Sequence, residues 1–168
     1  MTEDTTVTAD IGSRVFGECF RQACFLLEEG CVPRRIDTAL QQWGWAMGPF
    51  RAMDLGADIG EADRLISQLP DMVRAKGRRG QQNGAGWYLY TPQARNGLRD
   101  PEIEAMVVAH SATIGVPRRE IFPEEIVERC HLVMVNEAAR LLDEGIACRP
   151  SDIDDFCVAG YGFPASKG

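Results

Sequence analysis

Residues 14–30 read RVFGECFRQACFLLEEG, and residues 129–145 read RCHLVMVNEAARLLDEG. Each segment opens on arginine and ends on Leu-Leu, an acidic pair and a glycine, 16 positions after the arginine (14 to 30, 129 to 145). An Ile-Asp pair follows both, Ile36-Asp37 and Ile153-Asp154, and then a further glycine, Gly44 and Gly162. Ordered agreement at this many positions marks a duplicated supersecondary unit.

Each copy has helical periodicity. Val15, Phe16, Cys19, Phe20, Ala23, Leu26 and Leu27 recur at spacings of three and four, as do Ile126, Cys130, Val133, Met134, Ala138, Leu141 and Leu142, so each set occupies one helix face. Pro123 with Glu124 and Glu125 suits a helix start, and Gly30 and Gly145 suit stops. The first helix is apolar over a wide arc, which predicts a central, deeply buried position. Shorter helices follow at about Pro33–Trp43 and Pro150–Val158, the latter with Ser151 as a cap. Between the copies, Pro49–Leu55, Ile59–Ala75 and Pro101–Ile114 read as helices. Residues 77–86, GRRGQQNGAG, read as a loop entering an extended Trp87–Tyr90. Strand signals are almost absent. The expected fold class is all-α: two tandem, related helical units without a Rossmann domain. The expected divisions are a disordered polar leader at 1–10, a first unit at 11–92 and a second, truncated copy at 93–168.

The 168 residues are 45% hydrophobic and 26% charged, enough for a packed core. Acidic residues outnumber basic ones 25 to 18, for a net charge of −7, which disfavours nucleic acid as a partner. The densest basic stretch, Arg74, Lys76, Arg78 and Arg79, has no interleaved aromatics; a solvated loop is its first reading and an anionic-ligand contact its second. No apolar run reaches the roughly 18 residues that cross a bilayer, and the first ten residues have no signal-peptide pattern. The six cysteines form no C-x-x-C pair, so buried thiols in a reducing cytoplasm are expected. His110 and His131 are too few for a zinc site and read as ordinary helix residues.

Leu26-Leu27-Glu28-Glu29-Gly30, Ile36-Asp37, Met47-Gly48-Pro49-Phe50 and Asp54-Leu55 resemble, in order, the C-terminal domain of the 3-hydroxyacyl-CoA dehydrogenases. Gly77-Arg78-Arg79-Gly80 through Asn83-Gly84-Ala85-Gly86-Trp87-Tyr88 is similar to that domain's closing loop. Val135-Asn136-Glu137-Ala138 and Gly160-Tyr161-Gly162-Phe163-Pro164 are similar to the second copy carried by multifunctional β-oxidation enzymes. The resemblance spans residues 11–168 and implies a helical fold of the kind found at the C-terminus of 6-phosphogluconate dehydrogenase. It also implies a reaction, the NAD-dependent oxidation of a (3S)-3-hydroxyacyl-CoA to the 3-ketoacyl-CoA in fatty-acid β-oxidation. In the family a Rossmann domain holds NAD and a His-Glu pair, while the helical part closes over the acyl-CoA thioester and builds a homodimer contact. The second copy takes the place of a partner subunit in the multifunctional forms.

This chain has no G-x-G-x-x-G between a strand and a helix, so no cofactor is expected in it and it is expected to be inactive alone. Ser13 stands where the family places a cleft asparagine; it reads equally as a helix cap or as a cleft contact. Met47, Gly48, Pro49 and Phe50 read as a helix start or as a substrate-binding border of the acyl pocket. Arg78 and Arg79 are candidates for a CoA phosphate. Asn136 and Glu137 are expected to make a polar contact between the copies, and Gln82 replaces a lysine common in the family. The family pattern continues past Pro164 through a further Gly-Gly-Pro. The alternative function is a catalytically retired helical scaffold, favoured by Ser13 and Gln82. The related 6-phosphogluconate and 3-hydroxyisobutyrate dehydrogenases fit the Gly-Arg loop and the Gly-Tyr-Gly-Phe-Pro ending poorly.

Overall fold

A computed structural model describes residues 3–57 and 67–167. Among these, the elements run α1 (Glu3–Glu29), α2 (Pro33–Trp43), α3 (Pro49–Asp54), α4 (Leu69–Ala75), β1 (Leu89–Thr91), β2 (Ala94–Leu98), α5 (Pro101–Thr113), α6 (Pro123–Asp143) and α7 (Pro150–Tyr161), with a final 3-10 turn at Ala165–Lys167. The fold is all-α apart from one antiparallel hairpin. Each of α2 to α7 has proline in its first two positions, where the lost N–H has no helical partner. Residues 59–66 of the longer helix expected at 59–75 lie outside the described residues, and the described part is α4.

α1 is the axle. Phe16, Cys19, Phe20, Ala23, Cys24, Leu26 and Leu27 are all essentially inaccessible to solvent, as the wide apolar arc predicts. Its most extensive partner is α6, whose Ile126, Cys130, Met134 and Leu141 are buried. The ion pairs between the two helices are reciprocal. Arg14 reaches Glu144 at 2.7 Å, and Arg129 reaches Glu29 at 2.6 Å. In each copy the glutamate lies 15 positions after the arginine (14 to 29, 129 to 144), so each arginine meets the other copy's glutamate. Such crossing pairs require α1 and α6 to run antiparallel. The shorter helices also cross over: α7 packs on α1, and α2 on α6. A single hydrophobic core takes in residues of both copies.

Several sequence expectations change. α1 begins at Glu3, so residues 3–10 are helical where a disordered leader was expected. Trp87–Tyr90 extends into a true hairpin, with Leu89 paired to Leu98 and Thr91 to Ala94, which straddles the expected border at 92/93. α5, assigned to the second unit, packs on α1 and α4. Asp100 caps it by accepting from Glu102 N at 2.9 Å, and Arg78 of the first unit binds Asp100 at 2.6 Å. The packing therefore has no break at 92/93. Ser151 lies within α7; Arg149 is the residue before that helix, and its N–H donates to Asp152 at 3.1 Å.

Sequence periodicity did not reveal how α1 ends. The connection from α5 to α6 passes across its C-terminus, where Arg119 N donates to Glu29 O at 2.8 Å. Arg118 donates to Leu27 O at 2.8 Å, Ser111 Oγ at 2.9 Å and Cys31 O at 3.1 Å, satisfying carbonyls that the helix leaves open. A Cβ on Gly30 would lie 1.9 Å from Arg119 O, so glycine is needed there for space as well as for its φ of +147°.

Candidate functional site

Asp37 and Asp54 organise the face of the first copy that carries the sequence candidates. Asp37 follows Ile36 on the buried side of α2 and is only 4% exposed. Its carboxylate accepts from Phe50 N at 3.1 Å, Arg51 N at 3.0 Å and the Tyr88 hydroxyl at 2.8 Å. It thus caps α3 from a distance and ties the closing loop to that cap. Gly48 is required beside it, because a Cβ would lie 2.3 Å from Asp37 Cα. Asp54, at the end of α3, accepts from Trp87 N at 2.9 Å, Tyr88 N at 3.0 Å and the Tyr90 hydroxyl at 2.9 Å. Together the two carboxylates hold α2, α3 and the loop as one piece.

Burial sets their proton affinity. Desolvation pushes the Asp37 carboxyl up to about 7, against the three donors that favour its charged form, with nearby Asp54 adding to the rise. Desolvation also raises Asp54, opposed by its own donors and by Arg78. Burial and the adjoining carboxylates raise the Tyr88 and Tyr90 hydroxyls, which remain donors. Every carboxylate oxygen here is engaged within the fold, so the cluster acts as a staple.

Ser13 is 3% exposed and lies well inside α1, so it is not that helix's N-cap. The capping reading therefore fails. Phe50 meets α1 at Phe20, two turns beyond Ser13, with ring centroids 5.6 Å apart; Trp87 completes the stack at 4.7 Å from Phe50. Phe50 is fully buried, whereas Met47 keeps exposed surface. Of the pair expected to join the copies, Glu137 is 1% exposed and accepts from Arg14 Nε at 2.7 Å, while Asn136 is exposed. Sequence reasoning underrated His110. It is buried and lies 3.2 Å from Glu28, which also accepts from the Ser67 hydroxyl at 2.7 Å, tying α5 to α1. His131 packs edge-on against Trp43 at 5.0 Å, and burial lowers its proton affinity, assisted by Lys167. Five of the six cysteines are buried and Cys148 is exposed. No group of three metal-ligating side chains occurs among the described residues.

The Gly80–Gly86 loop does not fit a dinucleotide. Gly80 N donates to Ala85 O, Gln81 N to Asp54 O, Gly86 N to Tyr88 O and Arg79 N to Asn83 Oδ1. These amides are engaged inside the loop and cannot cradle a pyrophosphate, and no helix starts there.

The family described as 3-hydroxyacyl-CoA dehydrogenase, C-terminal domain, matches residues 11–90, the segment that contains the Asp37 and Asp54 ties. The chain is 38% identical to the peroxisomal bifunctional enzyme of Danio rerio over 94% of the chain and 25% of that protein. It is 36% identical to the Homo sapiens protein of the same name over the same shares. It is 34% identical to the glyoxysomal fatty acid beta-oxidation multifunctional protein MFP-a of Brassica napus, over 93% of the chain and 24% of that protein. The chain thus spans about a quarter of the length of these relatives. The dehydrogenase part of multifunctional enzyme 1 from C. elegans shares its fold, with a TM-score of 0.73 and 23% identity over 94% of this chain and 37% of that one. The expected cytoplasmic setting does not stand, because these relatives are named as peroxisomal and glyoxysomal proteins. Cysteines that are reduced and buried report on a compartment's redox state, which does not separate cytoplasm from organelle. No helix among the described residues is long and apolar enough to cross a membrane.

Proposed function

We propose that this chain is the helical cover of an NAD-dependent 3-hydroxyacyl-CoA dehydrogenase acting in peroxisomal-type fatty-acid β-oxidation. The observation that carries the reading is the family match over residues 11–90, which includes the ties that hold α2, α3 and the closing loop together. The amides of Gly80, Gln81 and Gly86 are engaged within the fold, and in this reading NAD and the base that accepts the hydroxyl proton are supplied by a nucleotide-binding domain. No step of hydride transfer is assigned to residues here. Their work is to exclude water and to shape the space above the thioester. Ser13, buried in α1, stands at the family's cleft position, and Met47 supplies the exposed edge of the Met47–Phe50 border while Gly48, Pro49 and Phe50 hold it in place. The first unit, 11–92, forms this border, and the second, 93–168, buttresses it through α6.

The test is NADH formation from (3S)-3-hydroxybutyryl-CoA, with the chain alone and after adding the separately expressed nucleotide-binding domain of the Danio rerio relative. The expected result is no turnover alone and turnover in the mixture. Turnover by the chain alone overturns the proposal. A mixture that forms a complex but stays inactive favours the retired-scaffold reading, which Ser13 and Gln82 support.

A further inference from the structure

A cavity of about 150 Å³ lies where α6 meets α7. Met134, Val135, Ala138, Ile153 and Cys157 line it, with Asp154 at its edge. Counting back 115 positions along α6 (135 to 20) and 117 along α7 (154 to 37) turns these residues into Cys19, Phe20, Ala23, Ile36, Leu40 and Asp37. All six are buried, and the start of α3 closes that corner of the first copy. Phe50 sets its ring 5.6 Å from that of Phe20, while Phe50 N and Arg51 N donate to the Asp37 carboxylate at 3.1 and 3.0 Å. Among the described residues the second corner has no such cover. Val135 is 53% exposed, and Asp154 accepts no hydrogen bond. The segment after α7 goes elsewhere: Phe163 packs on Trp43 and Trp45 with centroids 5.8 and 5.6 Å apart, and the 3-10 turn follows.

We propose that this corner is a socket for a segment of a partner protein that begins a helix with proline and then an aromatic residue. The partner's ring fills the cavity beside Val135. The amides that open its helix, which have no acceptor within the helix, donate to Asp154 as Phe50 and Arg51 donate to Asp37. Volume decides against a small-molecule ligand, since such sites hold roughly 300–1,000 Å³. A cavity of about 150 Å³ suits one large side chain. A second copy of this chain has no such segment to offer. Its Pro49–Phe50 is held at its own Asp37, and every other described helix that opens on proline follows it with a polar residue. The socket uses none of the residues assigned to the acyl-CoA cleft.

The probe is a peptide with the sequence of Ala46–Gly56, AMGPFRAMDLG, titrated into the whole isotope-labelled chain and followed by amide NMR shifts. Saturable shifts are expected around Val135, Asp154 and Cys157 and not around Phe20 and Asp37. Replacing the peptide's phenylalanine with alanine should weaken binding at least tenfold. In the chain, Val135→Glu and Asp154→Ala should each weaken it at least tenfold with unchanged circular dichroism, while Val108→Glu, exposed on α5, should not. Absence of saturation at millimolar peptide overturns the socket, as does equal binding of the alanine peptide or indifference to the Asp154 change. Shifts centred on Asp37 overturn it too, because the peptide then only displaces α3. So does self-association through α6 without peptide, which makes a second copy the occupant.

Discussion

The α1–α2 corner and the α6–α7 corner are built from matching sequence but are finished differently. Phe20 of α1 is fully buried under Phe50 and Trp87, whereas Val135, its counterpart 115 positions on (20 to 135), is 53% exposed. Asp37 is held by three donors, whereas Asp154 is half-buried on the edge of a cavity of about 150 Å³ and accepts no hydrogen bond among the described residues. Copying a helix pair reproduces a packing stripe and its ion pairs. It does not reproduce the polar ties, which depend on what lies over each corner. The first corner is therefore rigid and specified by its covering segments, and the second serves mainly as a packing partner.

The largest expected contrast is at the glycines that end α1 and α6. Gly30→Ala drives a methyl into the Arg119 backbone and should cost about 3–5 kcal/mol in urea unfolding. Gly145 has a φ of +71° but open space around it, so Gly145→Ala should cost only about 1 kcal/mol. Equal costs would mean that the linker does not press on the first corner alone.

The aspartates come next. Asp37→Asn replaces one of the two oxygens shared by the α3 N-terminus and Tyr88 with an NH2 donor that faces their donors, and should cost about 2–3 kcal/mol; Asp154→Asn should stay within about 0.5 kcal/mol. The pH dependence sharpens this. Folding raises the Asp37 carboxyl to about 7 from an ordinary value of 3.8, so the folded state binds the extra proton between those two pH values. Stability from this group is thus complete below about 4 and is lost as pH rises through 7. Relative to Asp37→Asn, the unmodified chain should lose stability from pH 4 to 7 and then level off, as followed by urea midpoints.

The smallest contrast lies in the reciprocal ion pairs. Arg14→Met takes the nearest guanidinium from Glu137, which is 1% exposed and keeps Arg140 at 3.3 Å, and should cost about 2 kcal/mol. Arg129→Met leaves Glu29, 27% exposed, with water and Arg119, and should cost about 0.5–1 kcal/mol. Chemical denaturation of both variants at one pH measures the difference.

Much of this was legible in the sequence. Period and glycine stops gave both long helices, because burial of one face and a positive φ leave residue-type signatures. The Ile-Asp pairs were visible as a repeat, but their unequal roles were not. A capping carboxylate acts on amides 13 and 14 positions away, at Phe50 and Arg51, and no local pattern reports that. Ser13 looked like a cap only because α1 was expected to begin after residue 10. The hairpin escaped because its second strand, Ala94–Leu98, contains Arg95, Asn96 and Gly97, which are poor strand formers. Arg118 closes the end of α1 from about 90 residues away, so only the tertiary structure reveals it.

All three tryptophans, Trp43, Trp45 and Trp87, lie in the first copy, whereas far-UV ellipticity reports helices of both. α1 and α6 share one core, so urea unfolding followed by tryptophan fluorescence and by ellipticity should give one superimposable transition. Two separated transitions, with the fluorescence change complete while the α6–α7 ellipticity persists, would contradict it.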